Sequence, residues 1–153
     1  MALFIDKLAI SSPDFAPLGP IPAKFSGSGG NQIPRINISG PPEGTVEYAV
    51  ICHDPDAPLA HGFTHWAVYG IPVDATTVDV DLTTPGVRMG PNTLGEAAWS
   101  GPWPPEGHGV HHYYFWVYAL SSAVEGAPNR EEFLADCADS IIEQARVVGT
   151  FKS

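Results

Sequence analysis

Four side chains in this sequence have the chemistry to hold a small molecule or exchange a proton with it: Asp54, His65, His111 and Tyr113. A carboxyl, two imidazoles and a phenol supply donors, acceptors and groups that titrate near neutral pH. Each stands at the end of an apolar run and close to a Pro or Gly turn. Taken singly, each has a plain structural explanation. Asp54-Pro55-Asp56 reads as a polar turn, His65 as a satisfied histidine, and His111 with Tyr113 as strand packing. If the three strand ends meet at one rim, the four converge on a site for a small oxyanion, and loop amides near 107–110 add donors. Asp54 fits such a site when one proton is shared between its carboxyl and a bound phosphate or carboxylate. The site then prefers a monoprotonated anion and weakens as pH rises.

The same cluster admits a second chemistry. With Asp54, His65 and His111 as the catalytic set, it could move protons in the isomerisation or cyclisation of a small carbonyl-containing metabolite. Whether the chain is an enzyme stays open at this level, with binding the preferred reading. No metal and no cofactor are expected, because the adjacent His111 and His112 point to opposite faces of a strand. A serine nucleophile is not expected either, since no Gly-x-Ser-x-Gly elbow occurs.

The elements that must position these groups are mostly strands. Residues 113–120 are aromatic, β-branched or otherwise apolar, as in a strand covered on both faces. Period-2 geometry puts His111 and Tyr113 on one face, and His112 and Tyr114 on the other. Residues 45–54 form a second strand, with Tyr48, Val50, Cys52 and Asp54 sharing a face. Residues 64–71 form a third, with His65, Ala67, Tyr69 and Ile71 facing one way and Trp66 and Val68 the other. Pro102, Pro104 and Pro105 build a rigid turn ahead of the 113–120 strand, and Gly107 and Gly109 relax the loop behind it. Short strands are expected at Lys24-Phe25 and 35–39, and an edge strand at 77–82. Asn129 and Glu132 have capping-box spacing. Phe133, Leu134, Cys137, Ile141, Ala145 and Val148 recur at helical intervals, so one helix, or two meeting near Ala138, is expected up to a stop at Gly149. The pattern is that of a mainly β chain, an antiparallel β-sandwich with a helical appendix.

Composition bounds the partners. The length of 153 residues fits one domain spanning 1–153. Seven basic against seventeen acidic residues leave a net charge of −10, which repels nucleic acid and anionic membrane surfaces. No apolar run is long enough for membrane insertion as a helix. Residues 1–12 lack the basic-then-apolar pattern of a leader, so a cytoplasmic location is expected, with Cys52 and Cys137 as reduced, buried thiols.

Three ordered blocks then resemble one family. They are Asp54-Pro55-Asp56-Ala57-Pro58; Gly62-Phe63-Thr64-His65-Trp66 with Val68-Tyr69 and Ile71-Pro72; and Gly101-Pro102-Trp103-Pro104-Pro105 with Gly107, Gly109, His111 and Tyr113. The chain resembles the phosphatidylethanolamine-binding proteins, also called Raf kinase inhibitor-like proteins, in their small bacterial form. The resemblance implies two antiparallel sheets with Greek-key elements and short C-terminal helices. It also implies a pocket for phosphate, a phosphorylated headgroup or a carboxylate. By motif, that pocket falls on Asp54, His65, His111 and Tyr113, with Trp103 and Pro105 in one wall and Asp56 supporting it. A regulated protein partner is part of the same implication; a homodimer is the alternative partner expected. The chain also departs from the family pattern, in lacking an aromatic near Asn37 and at two positions of the third block. His112 stands where the family has Arg, so loss of a structural ion pair is expected. Trp103 replaces a small residue and should narrow the entrance.

Overall fold

The computed structural model describes residues 7–153. In chain order the strands are β1 (Ala9–Ser11), β2 (Asn37–Ser39), β3 (Glu47–Asp54), β4 (Phe63–Pro72), β5 (Arg88–Met89), β6 (His111–Leu120) and β7 (Ile141–Phe151), with one helix, α1 (Arg130–Cys137), between β6 and β7. β1 and β2 pair alone, and the others form a five-stranded antiparallel sheet in the order β5-β4-β3-β6-β7. β3, β4 and β5 follow one another as neighbours, and β6 returns to lie beside β3, which is the Greek-key arrangement.

Alternation on β3 and β6 builds two cores. Tyr48, Val50 and Cys52 of β3 and Tyr113, Phe115 and Val117 of β6 pack on one face, against Ile10 of β1, Ile38 of β2, and the loop residues Phe15, Ile21 and Phe25. Ala49, Ile51, Tyr118 and Leu120 pack on the other, where α1 covers the sheet. Phe133 anchors that helix, with its ring 5.5 Å from Tyr69 and 5.2 Å from Tyr118. The capping box forms as its spacing predicts: Glu132 N–H donates to the Asn129 side chain, and Asn129 N–H to the Glu132 carboxylate. Beyond α1's reach the outer face of β6 is only half covered. Tyr114 and Trp116 stack there in a row that continues to the buried Tyr118 under α1, with Arg146 of β7 over the first two rings. Cover on both faces is thus confined to the distal part of β6.

Near its C-terminal end, at Val148 and Thr150, the outer edge of β7 is occupied by the chain's own backbone. Leu18 N–H donates to Val148 C=O, Ile21 N–H to Thr150 C=O, and Thr150 N–H to Gly19 C=O.

Several expectations are corrected. The helix ends at Cys137, a 3-10 turn covers Ala138–Ser140, and residues from Ile141 onward are strand. Ile141, Ala145 and Val148 fit a helical interval, but the buried positions are Ile141, Glu143, Ala145, Val147 and Gly149, a strict alternation matched to β6. Gly149 is no helix stop. It lies inside β7, paired with Tyr113, where Ile21 and Phe15 leave no room for a side chain: a Cβ there would lie 2.6 Å from Ile21 Cγ1. Lys24 and Phe25 lie in a 3-10 turn. The 77–82 stretch makes one isolated bridge, Thr77 to Asn37, with Val78 N–H donating to Ile36 C=O, and otherwise runs as irregular chain and turn. Cys52 is buried but Cys137 only partly so, and both are free. The leader reading rests on residues 1–12, of which 1–6 lie outside the described residues.

Candidate ligand pocket

The adjacent ends of β3, β4 and β6 and the 94–105 loop enclose a half-open cavity of about 370 Å³. Asp54, His65, His111 and Tyr113 all line it, as do Trp103 and Pro105, so the six residues singled out by sequence meet in one place. Asp54 ends β3, and His111 and Tyr113 begin β6 on its inner face.

His65 reaches the cavity by a different route from the one alternation predicts. The β3–β4 register steps from Cys52↔Trp66 to His53↔Thr64, which leaves His65 as an unpaired bulge residue. A bulge breaks the alternation and re-aims a side chain. His65 therefore leaves the Ala67 and Tyr69 face and joins Trp66, with its ring 5.1 Å from Tyr113 and 6.5 Å from Trp99. A second irregularity lies between the pairs Tyr48↔Ile71 and Val50↔Val68, where Gly70 has φ +73°; it carries Ile71 to the inner core.

Hydrogen bonds fix the ring nitrogens. His65 Nδ1 lies 2.5 Å from Ser100 C=O, and a carbonyl can only accept, so Nδ1 carries the proton. Ser100 N–H returns a bond to His65 C=O. His65 Nε2 is left buried with no partner. Burial holds this ring's pKa down to about 4, so it is neutral at pH 7 and presents a bare lone pair. His111 Nδ1 lies 2.7 Å from Asp54 Oδ2, with both side chains buried. The other Asp54 oxygen accepts from Asp56 N–H at 2.7 Å. The expected sharing of Asp54's proton with an anion is thus pre-empted in part: His111 already holds one oxygen and the turn backbone the other. Burial, with the nearby Asp54 charge, pushes the Tyr113 phenol far above its ordinary value, so it stays a neutral O–H.

Around this polar floor the walls are apolar: Ala57, Pro58, Leu59, Phe63, Leu94, Trp103, Pro104 and Pro105. Trp103 is 68% exposed and stands at the rim against Gly27, where a Cβ would meet its ring at 2.8 Å. Asn31 secures the wall loop from behind. Its side chain accepts from Gly101 N–H at 2.7 Å and donates to Trp99 C=O at 3.2 Å. Asp56 does not line the cavity and accepts from the His112 backbone and ring, each at 2.8 Å. The ion pair expected to be lost with the family's Arg is therefore replaced by a His112–Asp56 pair. Among the described residues no Lys or Arg lines the cavity. Cys52 is buried, and burial raises its thiol well above the ordinary value, so it is no nucleophile here.

Sequence reasoning did not single out His108, whose Nδ1 lies 2.5 Å from His111 Nε2. Its spacing from His111 was the available signal. His61-x-x-x-His65 and His108-x-x-x-His112 also have metal-ligand spacing, but among the described residues no three His, Cys, Asp or Glu side chains surround a common point.

Residues 11–152 match the family described as phosphatidylethanolamine-binding protein. The chain is 36% identical over 139 residues to the UPF0098 protein of Aquifex aeolicus, covering 86% of this chain and 81% of that one. It is 39% identical over 150 residues to a Mycobacterium tuberculosis protein named putative lipoprotein LppC, covering 96% and 73%. Among solved structures it resembles Escherichia coli YbcL, described as a new member of the mammalian PEBP family, with a TM-score of 0.89, 29% identity, and coverage of 97% of this chain and 99% of that one. The Chlamydia trachomatis homologue CT736 gives a TM-score of 0.86 at 27% identity, covering 96% and 98%.

Proposed function

Because the chain belongs to the phosphatidylethanolamine-binding protein family, we propose that it binds a small molecule with a protonated oxyanion head, a phosphate monoester or carboxylic acid, and a short apolar body. The observation that carries this reading is the buried, partnerless Nε2 of His65, a residue that lines the cavity. A buried acceptor left unpaired costs about 1–3 kcal/mol, which a ligand O–H recovers. The Asp54–His111 pair and the Tyr113 hydroxyl receive the remaining head-group atoms. The apolar walls take the body, and Trp103 narrows the entry to one without bulky branches.

Titration calorimetry with inorganic phosphate, acetate and phenyl phosphate tests the proposal at pH 6 and pH 8. Phenyl phosphate should bind about tenfold or more tighter than inorganic phosphate, from burial of its ring, and every affinity should fall at pH 8. His65→Leu should weaken each by about tenfold or more. Failure of all three to bind the wild-type chain at millimolar concentration overturns the reading.

One observation favours a second reading, acid–base catalysis on a small carbonyl compound. A carboxyl-oriented imidazole at the foot of apolar walls is the usual form of a general base. His111 Nε2, released from its bond to His108, would remove a proton beside the carbonyl and return it at another carbon, while Asp54 stabilises the transient imidazolium. Proton-to-deuterium exchange into a bound ketone, lost in His111→Ala, supports it; ketone binding without exchange sinks it. Regulation of a protein partner and residence in the cytoplasm belong to the same proposal, the latter on the two free thiols. No helix among the described residues is long and apolar enough to cross a membrane. Cell fractionation decides the compartment.

A further inference from the structure

We infer that His108 sets the ligand preference of this pocket by completing a proton-accepting chain, Asp54–His111–His108, so that an anion binds together with one proton. The inference rests on the anion-binding reading above and adds a residue outside the matching motifs. Its basis is geometric. Asp54 Oδ2 meets His111 Nδ1 at 2.7 Å, and His111 Nε2 meets His108 Nδ1 at 2.5 Å. The chain runs from the buried carboxylate to an exposed imidazole on the surface loop. Gly107 (φ +78°) and Gly109 (φ +86°) turn the loop on either side of His108, and His108 N–H donates to Pro105 C=O at 3.1 Å. The loop is thereby folded so that His108 caps His111.

Charge gives the chain its role. With His111 neutral, Nδ1–H serves Asp54 and Nε2 accepts from His108 Nδ1–H. The pocket floor then carries the full negative charge of Asp54 with no Lys or Arg among the described lining residues to offset it. An incoming anion meets repulsion until a proton arrives. Added to His111 Nε2, that proton forms an imidazolium paired with Asp54. His108 then accepts through Nδ1, having moved its own proton to the solvent-facing Nε2. The rings still share one hydrogen, the floor becomes neutral, and no atom is left without a partner. A hydrogen bond from a charged donor is roughly twice as strong as a neutral one, so His108 favours the protonated form.

The other groups around this pair are few. His65 on β4 is neutral, Tyr113 on β6 keeps its proton, and Asp56 in the turn after β3 is held by His112. On the β7 side His111 pairs in register with uncharged Phe151. Glu106 and Lys152 line a separate groove with Trp103.

The test is calorimetry of phenyl phosphate binding near pH 7.5 in two buffers of different ionisation enthalpy, for the wild type and His108→Ala. The wild type should take up close to one proton per ligand. His108→Ala should bind about tenfold more weakly there, and its pH profile should lie about one unit lower. His108→Gln, which keeps an acceptor, should recover part of the loss. Nitrogen NMR of the ligand-free protein provides a readout that needs no ligand: the pH at which the His111 ring signals change should fall in His108→Ala. Binding with no proton uptake, or a His108→Ala profile that overlays the wild type, overturns this inference and leaves anion binding standing. Absence of phenyl phosphate binding defeats the anion reading. An unmoved His111 NMR midpoint then defeats the proton chain separately.

Discussion

His53 and His65 sit at the same end of the sheet, one on β3 and one on β4. Both are buried, and burial lowers the pKa of each to about 4. Their surroundings differ. His53 Nδ1 meets the Thr64 hydroxyl at 3.0 Å on the face away from the cavity. His65 is carried to the cavity face by a bulge, and its Nε2 meets nothing. Burial and a depressed pKa are common to both, so neither marks a site. The lone pair without a partner separates the structural ring from the ligand-facing one.

The largest test of this contrast acts on the hinge between the two rings. Gly62 has φ +68°, and a Cβ there would lie 2.5 Å from the Asp54 carbonyl oxygen and 2.8 Å from His53 Nε2. Gly62→Ala should cost more than about 3 kcal/mol in urea unfolding, from left-handed strain plus the clash, and should disturb the Asp54 side of the cavity as well. A cost below 1 kcal/mol would show that the two faces are not tied at this turn.

Acid comes next. An imidazole that titrates at 6.5 unfolded and about 4 folded leaves the unfolded chain binding more protons between those values. The stability each ring contributes is complete above about pH 6.5 and is lost as pH falls toward 4, by up to about 3 kcal/mol per ring. The loss is read as the difference between wild-type and single-leucine unfolding curves at pH 7 and pH 4.5. Saturating ligand should protect the His65 share and not that of His53. Equal protection of both would erase the distinction.

The smallest effect is the most specific. His53→Leu strands the Thr64 hydroxyl and should cost about 2 kcal/mol with ligand affinity intact. His65→Leu strands the Ser100 carbonyl but removes the orphaned Nε2, so unfolding should change by less than about 1 kcal/mol while binding weakens by about tenfold or more. Reversal of this pattern in paired unfolding and calorimetry experiments would reassign the two roles.

Much of the fold was legible because alternation on β3 and β6 is nearly uninterrupted: Tyr48, Val50 and Cys52, and Tyr113, Phe115 and Val117, fall on the faces their spacing predicts. The convergence of Asp54, His111 and Tyr113 followed from strand ends beside rigid turns. What stayed hidden depended on events with no local signature. A single extra residue at His65 reversed its face, and only pairing with β3 reveals it. Residues 141–148 satisfy two periods at once, and β6, distant in sequence, decides for the strand. His108 looked like a loop residue because its partner is the ring three positions on, brought back by two left-handed glycines.

The segment from Leu18 to Ile21 lies along β7, and its main-chain bonds use up groups that an outermost strand would otherwise show to solvent. At the opposite margin β5 has only two residues. At these two places the borders of the large sheet leave little free backbone for pairing with another molecule. A second copy or a partner protein that docks there must engage side chains, so association at these margins should respond to surface substitutions and leave the strand register untouched.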